Sequence, residues 1–203
     1  MDMRGLKAIK KLIKNRFNEY TSLFLKFFAS KFNKLGVSPT QVSLIGFIFA
    51  FLSAISYFMA KNNDLAYYLA PSFLLLSGFF DALDGTIARL YSKVSKLGGF
   101  VDSTIDRLGE AIVYSALMLG NLAHSHLGLM ALILSFMVSY TRARAEVEGI
   151  DLKSIGIGQR ALRLIILAIS SFLKQIEIGL VLIIFFAFIT FIQRVFFVYK
   201  KLH

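Results

Sequence analysis

The first 33 residues of the chain show apolar positions at helical spacing, separated by basic positions. Apolar side chains recur every three or four residues between Leu6 and Phe32, and lysines such as Lys7 and Lys26 lie between them. An apolar stripe with a basic opposite face is typical of a helix that lies in a membrane interface. We therefore predict an interfacial amphipathic helix here, with a helix packed on a partner protein as the alternative.

Six apolar segments follow this helix. Ser38 and Pro39 precede them as a typical helix start, a capping residue and then a proline that needs no N–H donor. The segments are residues 40–60, 66–90, 99–120, 127–147, 159–174 and 177–199. Each approaches the ~20 residues with which a helix crosses ~30 Å of hydrocarbon, although the fifth is the shortest. The sequence thus predicts an all-α, polytopic membrane bundle of six transmembrane helices, with 1–38 as a juxtamembrane helix and 39–203 as a single transmembrane catalytic domain.

The basic residues lie beside these segments and indicate their orientation. Of the 23 Lys and Arg residues, Lys61 and Lys174 alone fall in the odd-numbered loops. Because Lys and Arg concentrate on the cytoplasmic side of membranes, we predict a multi-pass cell-membrane protein with both termini and the even-numbered loops in the cytoplasm. A formal net charge of +11 could indicate nucleic-acid binding. Since these charges flank apolar spans, membrane lipid headgroups are the better partners, and we expect no nucleic acid.

Four of the seven aspartates fall within 26 residues, near the inner end of the second segment and the start of the third. They are Asp81, Asp84, Asp102 and Asp106. Helical spacings of three and four place each pair on one face. Two like charges ~4 Å apart repel by about 4 kcal/mol at an effective dielectric of 20, so protonation or bound cations must compensate. Carboxylates without His or Cys favour Mg²⁺, Mn²⁺ or Ca²⁺ over zinc, and substrate phosphates commonly complete a Mg²⁺ shell.

Small residues and an arginine accompany the aspartates. Gly85 and Ala88 follow the first pair along its helix, and Gly98 lies one turn before the second pair. Without bulky side chains, these positions open a slot in which a flat group can approach the backbone. Arg89 is spaced to reach a phosphate in that slot. Close helix packing in the membrane is the alternative for the glycines alone.

Together these eight residues read D-x2-D-G-x2-A-R-x8-G-x3-D-x3-D, which resembles the signature of the CDP-alcohol phosphotransferases at every fixed position. The resemblance implies an enzyme of phospholipid biosynthesis that transfers a lipid-phosphoryl group from CDP-diacylglycerol or CDP-archaeol to a hydroxyl and releases CMP. It implies that the four aspartates bind two Mg²⁺ or Mn²⁺ ions and that Asp106 is also the general base. It further implies that Gly85, Ala88 and Gly98 admit the cytidine, that Arg89 holds the CDP phosphates, and that the protein is a homodimer.

A second cluster of basic residues lies near the ends of the last three segments. Arg142, Arg160 and Arg194 fall on three helices and could converge on an anionic acceptor. Flanking cytoplasmic charge is the alternative for Arg144 and Arg163, and a side chain that snorkels to the surface is the alternative for Arg194.

The run from Ser139 to Glu146 resembles the branch that makes phosphatidylinositol phosphate, or its archaeal ether-lipid counterpart, from inositol 1-phosphate. That resemblance implies that the acceptor phosphate is bound by Ser139, Arg142, Arg144, Arg160 and Arg194. Gln159 departs from the branch, which often has an acidic residue there. Glycerol 3-phosphate, which is also anionic, would use a similar cluster and is the alternative acceptor.

Two other classes of protein also use intramembrane aspartates. Membrane prenyltransferases bind diphosphate through metal, but usually with two separated aspartate-rich motifs in a longer bundle. A cation transporter could use the aspartates as a relay, but it would give no role to the glycines or to Arg89. Glu110, one turn past Asp106, is interpreted either as a site residue or as the partner of Arg107.

Overall fold

The computed structural model describes residues 21–203, and all regular structure in that range is helical. Helix α1 occupies residues 21–34 of the described chain. The others are α2 (Pro39–Met59, with a 3-10 turn at Ala60–Asn62), α3 (Asp64–Leu90), α4 (Lys96–Leu119), α5 (Ser125–Val147), α6 (Arg160–Phe172) and α7 (Ile176–Leu202). The all-α prediction is confirmed. Residues 1–20 of the predicted interfacial helix lie outside the described residues, and its position at a membrane surface stays a prediction.

Helix α2 begins where the sequence predicts. The Ser38 side chain accepts a hydrogen bond from the backbone N–H of Gln41, and the Gln41 side chain accepts one from the Ser38 N–H at 2.8 Å. Pro39 occupies the first helical position, where no N–H donor is required. This capping box satisfies two backbone N–H groups at the start of α2 that have no partner within the helix.

Four of the described helices are long and apolar enough to cross a membrane: α2, α3, α5 and α7. Helix α4 carries charged residues through its first half, and α6 has 13 residues. At 1.5 Å per residue, α6 spans about 20 Å, less than the ~30 Å of bilayer hydrocarbon. The multi-pass prediction is therefore confirmed for four spans, and the count of six stays a prediction for α4 and α6.

The six helices from α2 to α7 form a closed ring in the order α2, α3, α6, α7, α5, α4. In this order α4 and α6 are not neighbours but face each other across the ring. Buried apolar residues on the ring helices, among them Tyr57, Leu117, Leu180 and Ile183, form the main core.

A smaller cluster attaches α1 to the outside of α2 and α3. It contains Ala29, Val42, Leu83 and Ile87, all fully buried. On its solvent-facing side, α1 leaves large apolar side chains such as Phe24 and Phe27 exposed. The chain therefore packs its first described helix on the arc of the ring that α2 and α3 form.

Candidate active site

Three of the four signature aspartates meet between α3 and α4. Asp81, Asp102 and Asp106 each offer one carboxylate oxygen, and these oxygens lie within 4.8 Å of one another. The five-residue turn 91–95 connects the end of α3 to the start of α4, and α2 packs against both helices. An all-oxygen donor set of this kind fits a hard divalent cation such as Mg²⁺ or Mn²⁺.

Asp84 lies beside this cluster and has a partner of its own. It is 5% exposed, and its Oδ2 accepts a hydrogen bond of 2.6 Å from the Ser43 hydroxyl on α2. Asp84 and the three clustered aspartates line one small cavity. Ser43 was not singled out in the sequence, because it lies 41 residues from its partner and belongs to no motif.

Arg160, at the start of α6, faces the carboxylates from across the ring. Its Nη1 lies 2.9 Å from Asp81 Oδ2 and 2.9 Å from Asp106 Oδ1. Arg107 Nη1 lies 3.2 Å from the other oxygen of Asp106. The sequence suggested Arg160 only as an acceptor ligand, and the structure also gives it direct contact with two signature aspartates.

The residues predicted to hold the CDP group line one cavity, which we call the donor cavity. It opens between the start of α2, the end of α3 and the start of α4, and its volume is about 430 Å³. Gly85, Ala88, Arg89 and Gly98 all line it, together with Asp84 and Asp102. This volume lies in the lower part of the roughly 300–1,000 Å³ typical of small-molecule sites.

Gly85 has a specific steric role in this cavity. A Cβ at position 85 would lie 3.1 Å from Nη1 of Arg89, one turn further along α3. The missing side chain therefore lets the Arg89 guanidinium lie close against its own helix at the cavity wall.

Four of the five residues predicted to bind the acceptor line a second cavity of about 260 Å³, which we call the acceptor cavity. These four are Ser139, Arg142, Arg160 and Arg194. Asp81, Asp102 and Asp106 line the same cavity, so its basic wall faces the carboxylate cluster. The structure thus brings side chains from α5, α6 and α7 to one place.

Arg144 is the predicted acceptor residue that the structure does not bring there. Its Nη2 lies 2.5 Å from Glu148 Oε1, one turn further along α5, and both side chains are largely exposed. It lines a separate groove between α5 and α7. This arrangement agrees with the alternative of flanking charge.

Arg194 does not snorkel to the surface. It is 4% exposed, its Nε donates a hydrogen bond of 3.0 Å to the carbonyl of Ile155, and its Nη1 donates to the carbonyl of Val138. The arginine therefore joins α7 to the α5–α6 loop and to the end of α5, at the wall of the acceptor cavity.

Lys153 belongs to both cavities and was missed in the sequence. It lies in the loop between α5 and α6 and lines the donor cavity as well as the acceptor cavity. Its backbone N–H donates to Asp151 at 2.8 Å, and its carbonyl accepts from the Gln159 side chain at 3.0 Å. A lone lysine in a polar loop carries no pattern from which this position could have been predicted.

Comparison with known proteins agrees with this geometry. The model of the CDP-alcohol phosphatidyltransferase family matches residues 37–198. The chain belongs to this family. The resemblance that the eight signature residues carry is therefore confirmed, and the chain is a transferase of phospholipid biosynthesis. A prenyltransferase and a cation transporter are not favoured.

Two archaeal members of the family are similar to this chain over most of its length. An archaetidylinositol phosphate synthase of Pyrococcus horikoshii is 42% identical over 168 residues, which are 83% of this chain and 87% of the relative. One from Methanothermobacter thermautotrophicus is 30% identical over 191 residues, covering 91% of this chain and 95% of the relative.

A solved structure shares the arrangement of helices. The phosphatidylinositol phosphate synthase of Mycobacterium tuberculosis with CDP-DAG bound matches with a TM-score of 0.73 at 25% identity, covering 86% of this chain and 93% of that one. The same enzyme in complex with manganese and citrate also has a TM-score of 0.73 at 25% identity, covering 86% of this chain and 88% of that one. A CDP-lipid and a divalent metal are thus bound by a protein of similar fold.

Proposed function

We propose that the chain transfers the lipid-linked phosphoryl group of CDP-archaeol or CDP-diacylglycerol to a hydroxyl of inositol 1-phosphate and releases CMP. The observation that carries this proposal is the shared border of the two cavities. Asp102 and Lys153 line both of them, so a donor diphosphate and an anionic acceptor would meet at the carboxylate cluster. The names of the two archaeal relatives support a phosphorylated inositol as the acceptor.

The donor cavity provides shape and positive charge for a nucleotide diphosphate. Its small residues, Gly85, Ala88 and Gly98, leave room beside the helix backbones, and the Arg89 guanidinium can donate to phosphate oxygens. Asp81, Asp84, Asp102 and Asp106 would hold one or two Mg²⁺ or Mn²⁺ ions. When bound, these ions would offset charge on the diphosphate and on the oxygens entering and leaving phosphorus.

The acceptor cavity provides the charge that binds a phosphate monoester. Arg142, Arg160 and Arg194 would donate to the acceptor phosphate, and the neighbouring Ser139 hydroxyl would add a neutral donor. The acceptor hydroxyl then attacks the lipid-linked phosphorus, the bond from that phosphorus to the CMP oxygen breaks, and Asp106 takes the hydroxyl proton. Arg107 and Arg160, both within 3.2 Å of Asp106, keep its carboxylate oriented toward the cavity.

An acceptor panel tests the proposal. Purified protein would be incubated with Mg²⁺ or Mn²⁺ and either CDP-archaeol or CDP-diacylglycerol, and CMP release would be measured with inositol 1-phosphate, free inositol, glycerol 3-phosphate and serine. We expect inositol 1-phosphate to give the highest kcat/KM, because free inositol and serine lack the phosphate that the arginines would bind. A higher kcat/KM with free inositol or serine would contradict the proposal. A higher kcat/KM with glycerol 3-phosphate would mean that glycerol 3-phosphate, and not inositol 1-phosphate, is the acceptor.

We also propose that α4 and α6 complete six spans and that both termini and the active site lie in the cytoplasm. The chain contains no cysteine, so single cysteines report on position without background. A membrane-impermeant thiol reagent added to intact cells should label Lys61→Cys and leave His203→Cys unlabelled until the membrane is opened. The reverse labelling pattern would invert the topology. The proposed homodimer would appear as twice the chain mass in light scattering of the detergent-solubilised protein.

A further inference from the structure

A buried ion pair connects α4 and α6 across the ring, about one helical turn further along both helices than the contact of Asp106 with Arg160. Arg163 Nε and Nη2 donate to Glu110 Oε1 at 3.1 and 2.7 Å, and Nη2 also donates to Oε2 at 2.9 Å. Arg163 is 1% exposed and is among the largest fully buried side chains of the described chain. Arg163 is therefore not a flanking surface charge, which was the alternative that the sequence left open for it. Glu110 pairs with Arg163 and not with Arg107, the partner that the sequence suggested.

Stability alone does not account for this pair. A buried ion pair adds little net stability over an apolar pair of similar volume, because desolvation of the two charges offsets their attraction. What such a pair does provide is a fixed geometry, since the guanidinium and the carboxylate dock in a planar, two-point contact.

The pair is in register with the active site. Glu110 lies four residues after Asp106 on α4, and Arg163 lies three residues after Arg160 on α6. Residues at these spacings share a helix face, so the Glu110–Arg163 pair lies one turn from the 2.9 Å contact of Asp106 with Arg160. Because α4 and α6 are not neighbours in the ring, these long side chains, rather than direct helix packing, connect the two helices.

Arg163 also fixes the residues that enter α6. Its Nη1 donates to the carbonyl of Gly158 at 2.7 Å, and the Gly158 N–H donates to the Thr190 hydroxyl on α7 at 2.7 Å. A Cβ at position 158 would lie 2.4 Å from the carbonyl oxygen of Phe186 on α7. The backbone at this position therefore approaches α7 too closely for any residue other than glycine. The acceptor-cavity residues Gln159 and Arg160 follow directly.

The two cavities depend on α6 to different degrees. The acceptor cavity takes four lining residues from Gln159 to Arg163. In the part of the chain that the structure describes, the donor cavity is lined by α2, α3, α4, the α3–α4 turn and Lys153, without a residue from α6 or α7. A shift of α6 would therefore change the acceptor cavity directly, and it would reach the donor cavity only through Lys153, whose carbonyl bonds to Gln159.

We propose that Glu110 and Arg163 are positioning residues that hold the start of α6 at the acceptor cavity, so that acceptor affinity depends on the pair and donor affinity does not. The proposal deepens the proposed function and rests on it for the identity of the acceptor alone. Glu110 does not line the acceptor cavity, so it would act only through Arg163 and the placement of Arg160. Arg163 lines that cavity, and the Glu110 variant therefore tests the positioning role without removing a lining residue.

The Glu110→Gln variant tests the proposal, because it keeps the size of the side chain and removes its charge. We expect the KM for inositol 1-phosphate to rise about tenfold or more, as loss of a hydrogen bond to a charged group implies. The KM for the CDP-lipid and the affinity for CDP with Mg²⁺, measured by calorimetry, should change by less than about twofold. The matched control is Glu148→Gln, which removes the exposed partner of Arg144 and should leave both KM values unchanged.

A double variant, Glu110→Leu with Arg163→Leu, separates positioning from stability. The apolar pair avoids an unpaired buried charge, and we expect a folded protein that binds CDP normally but has a raised acceptor KM. A wild-type acceptor KM in a folded double variant would overturn the proposal. So would a parallel loss of CDP affinity and acceptor affinity in both variants, because it would assign the pair to general stability.

The same design separates this proposal from the acceptor assignment. If wild-type protein releases no CMP with inositol 1-phosphate, the proposed acceptor is wrong, and the variants are then compared with the acceptor of the panel that wild-type protein uses. The split between acceptor KM and donor affinity is the readout in either case.

Discussion

The donor and acceptor cavities share a border but are built in opposite ways. Apart from Lys153, the donor cavity is lined by residues from Pro39 to Asp102, on three helices that follow one another in the chain. The acceptor cavity takes its lining from Asp81 to Arg194, on five helices and a loop. Small residues leave the space of the donor cavity open, and arginine side chains from four helices form the wall of the acceptor cavity.

This difference separates recognition by shape from recognition by charge. Gly85, Ala88 and Gly98 contribute space, in which a nucleotide can lie against helix backbones. Arg142, Arg160 and Arg194 contribute donors whose positions depend on distant parts of the fold. Substitutions in the first cavity should therefore alter donor affinity, and substitutions in the second should alter acceptor affinity.

The largest effect should come from Asp106, which lines the acceptor cavity and belongs to the carboxylate cluster. Asp106→Asn removes the proposed general base, and we expect CMP release to fall by about 10²–10⁴-fold while CDP-lipid binding is largely kept. Radiolabelled CMP release and calorimetry measure the two properties. Asp64→Asn, which alters an exposed aspartate at the opposite end of α3, is the control. Wild-type-like turnover in Asp106→Asn would remove the base assignment.

A smaller effect is expected at Arg194, and it distinguishes the two arginines that the sequence placed in one group. Arg194→Ala should raise the KM for the phosphorylated acceptor roughly 10–100-fold, because it removes a charged donor from the cavity wall. Arg144→Ala, outside that cavity, should leave the acceptor KM within about twofold. Steady-state kinetics with both variants measures the difference. Equal effects of the two substitutions would mean that cavity position does not decide acceptor affinity.

Lys153 lines both cavities, so its substitution should alter donor affinity and acceptor affinity together. Lys153→Met keeps much of the side-chain length and removes the charge, and we expect both KM values to rise about fivefold, the scale of one water-exposed charge contact of ~1 kcal/mol. Lys96→Met, a charge change at the start of α4 outside both cavities, is the comparison. An effect on one KM alone would assign Lys153 to a single cavity.

The narrowest effect, on one KM alone, should come from Gly85→Ala. The added Cβ would press on the Arg89 guanidinium, which can rotate away at a cost of about 0.5–1.5 kcal/mol. We expect the donor KM to rise about two- to tenfold with the acceptor KM unchanged. Thr86→Ala alters the adjacent residue, whose hydroxyl bonds to its own helix, and serves as the control. An increase confined to the acceptor KM would contradict the assignment of Gly85 to the donor.

The sequence predicted the donor side of the site better than the acceptor side, and the reason is the range of the contacts. Two helices that follow one another in the chain and a five-residue turn hold the signature. Helical spacing places Asp102 and Asp106 on one face, and the short turn keeps Asp81 near them. The arginine assignments needed the order of helices around the ring. Without that order, Arg144 could not be separated from Arg142, although they lie two residues apart on different faces of α5.

The helical fold was predictable from apolar periodicity, but individual partners were not. Glu110 had a plausible partner in Arg107 three residues away on the same helix. The ring instead brings Arg163 to Glu110, and Arg107 contacts Asp106. Pairs between distant residues depend on which helices face each other, and the spacing of residues within one helix does not predict which helices do.

The circular order of helices has a consequence for how this enzyme class can diversify. Helices α2, α3 and α4 occupy one continuous arc, and α5, α6 and α7 occupy the other. The helices that line the proposed donor cavity are thus contiguous both in sequence and in space, and so are the helices that supply Arg142, Arg160 and Arg194 to the proposed acceptor cavity. Exchanging everything after the α4–α5 turn between two family members would transplant acceptor preference onto an unchanged nucleotide-binding scaffold.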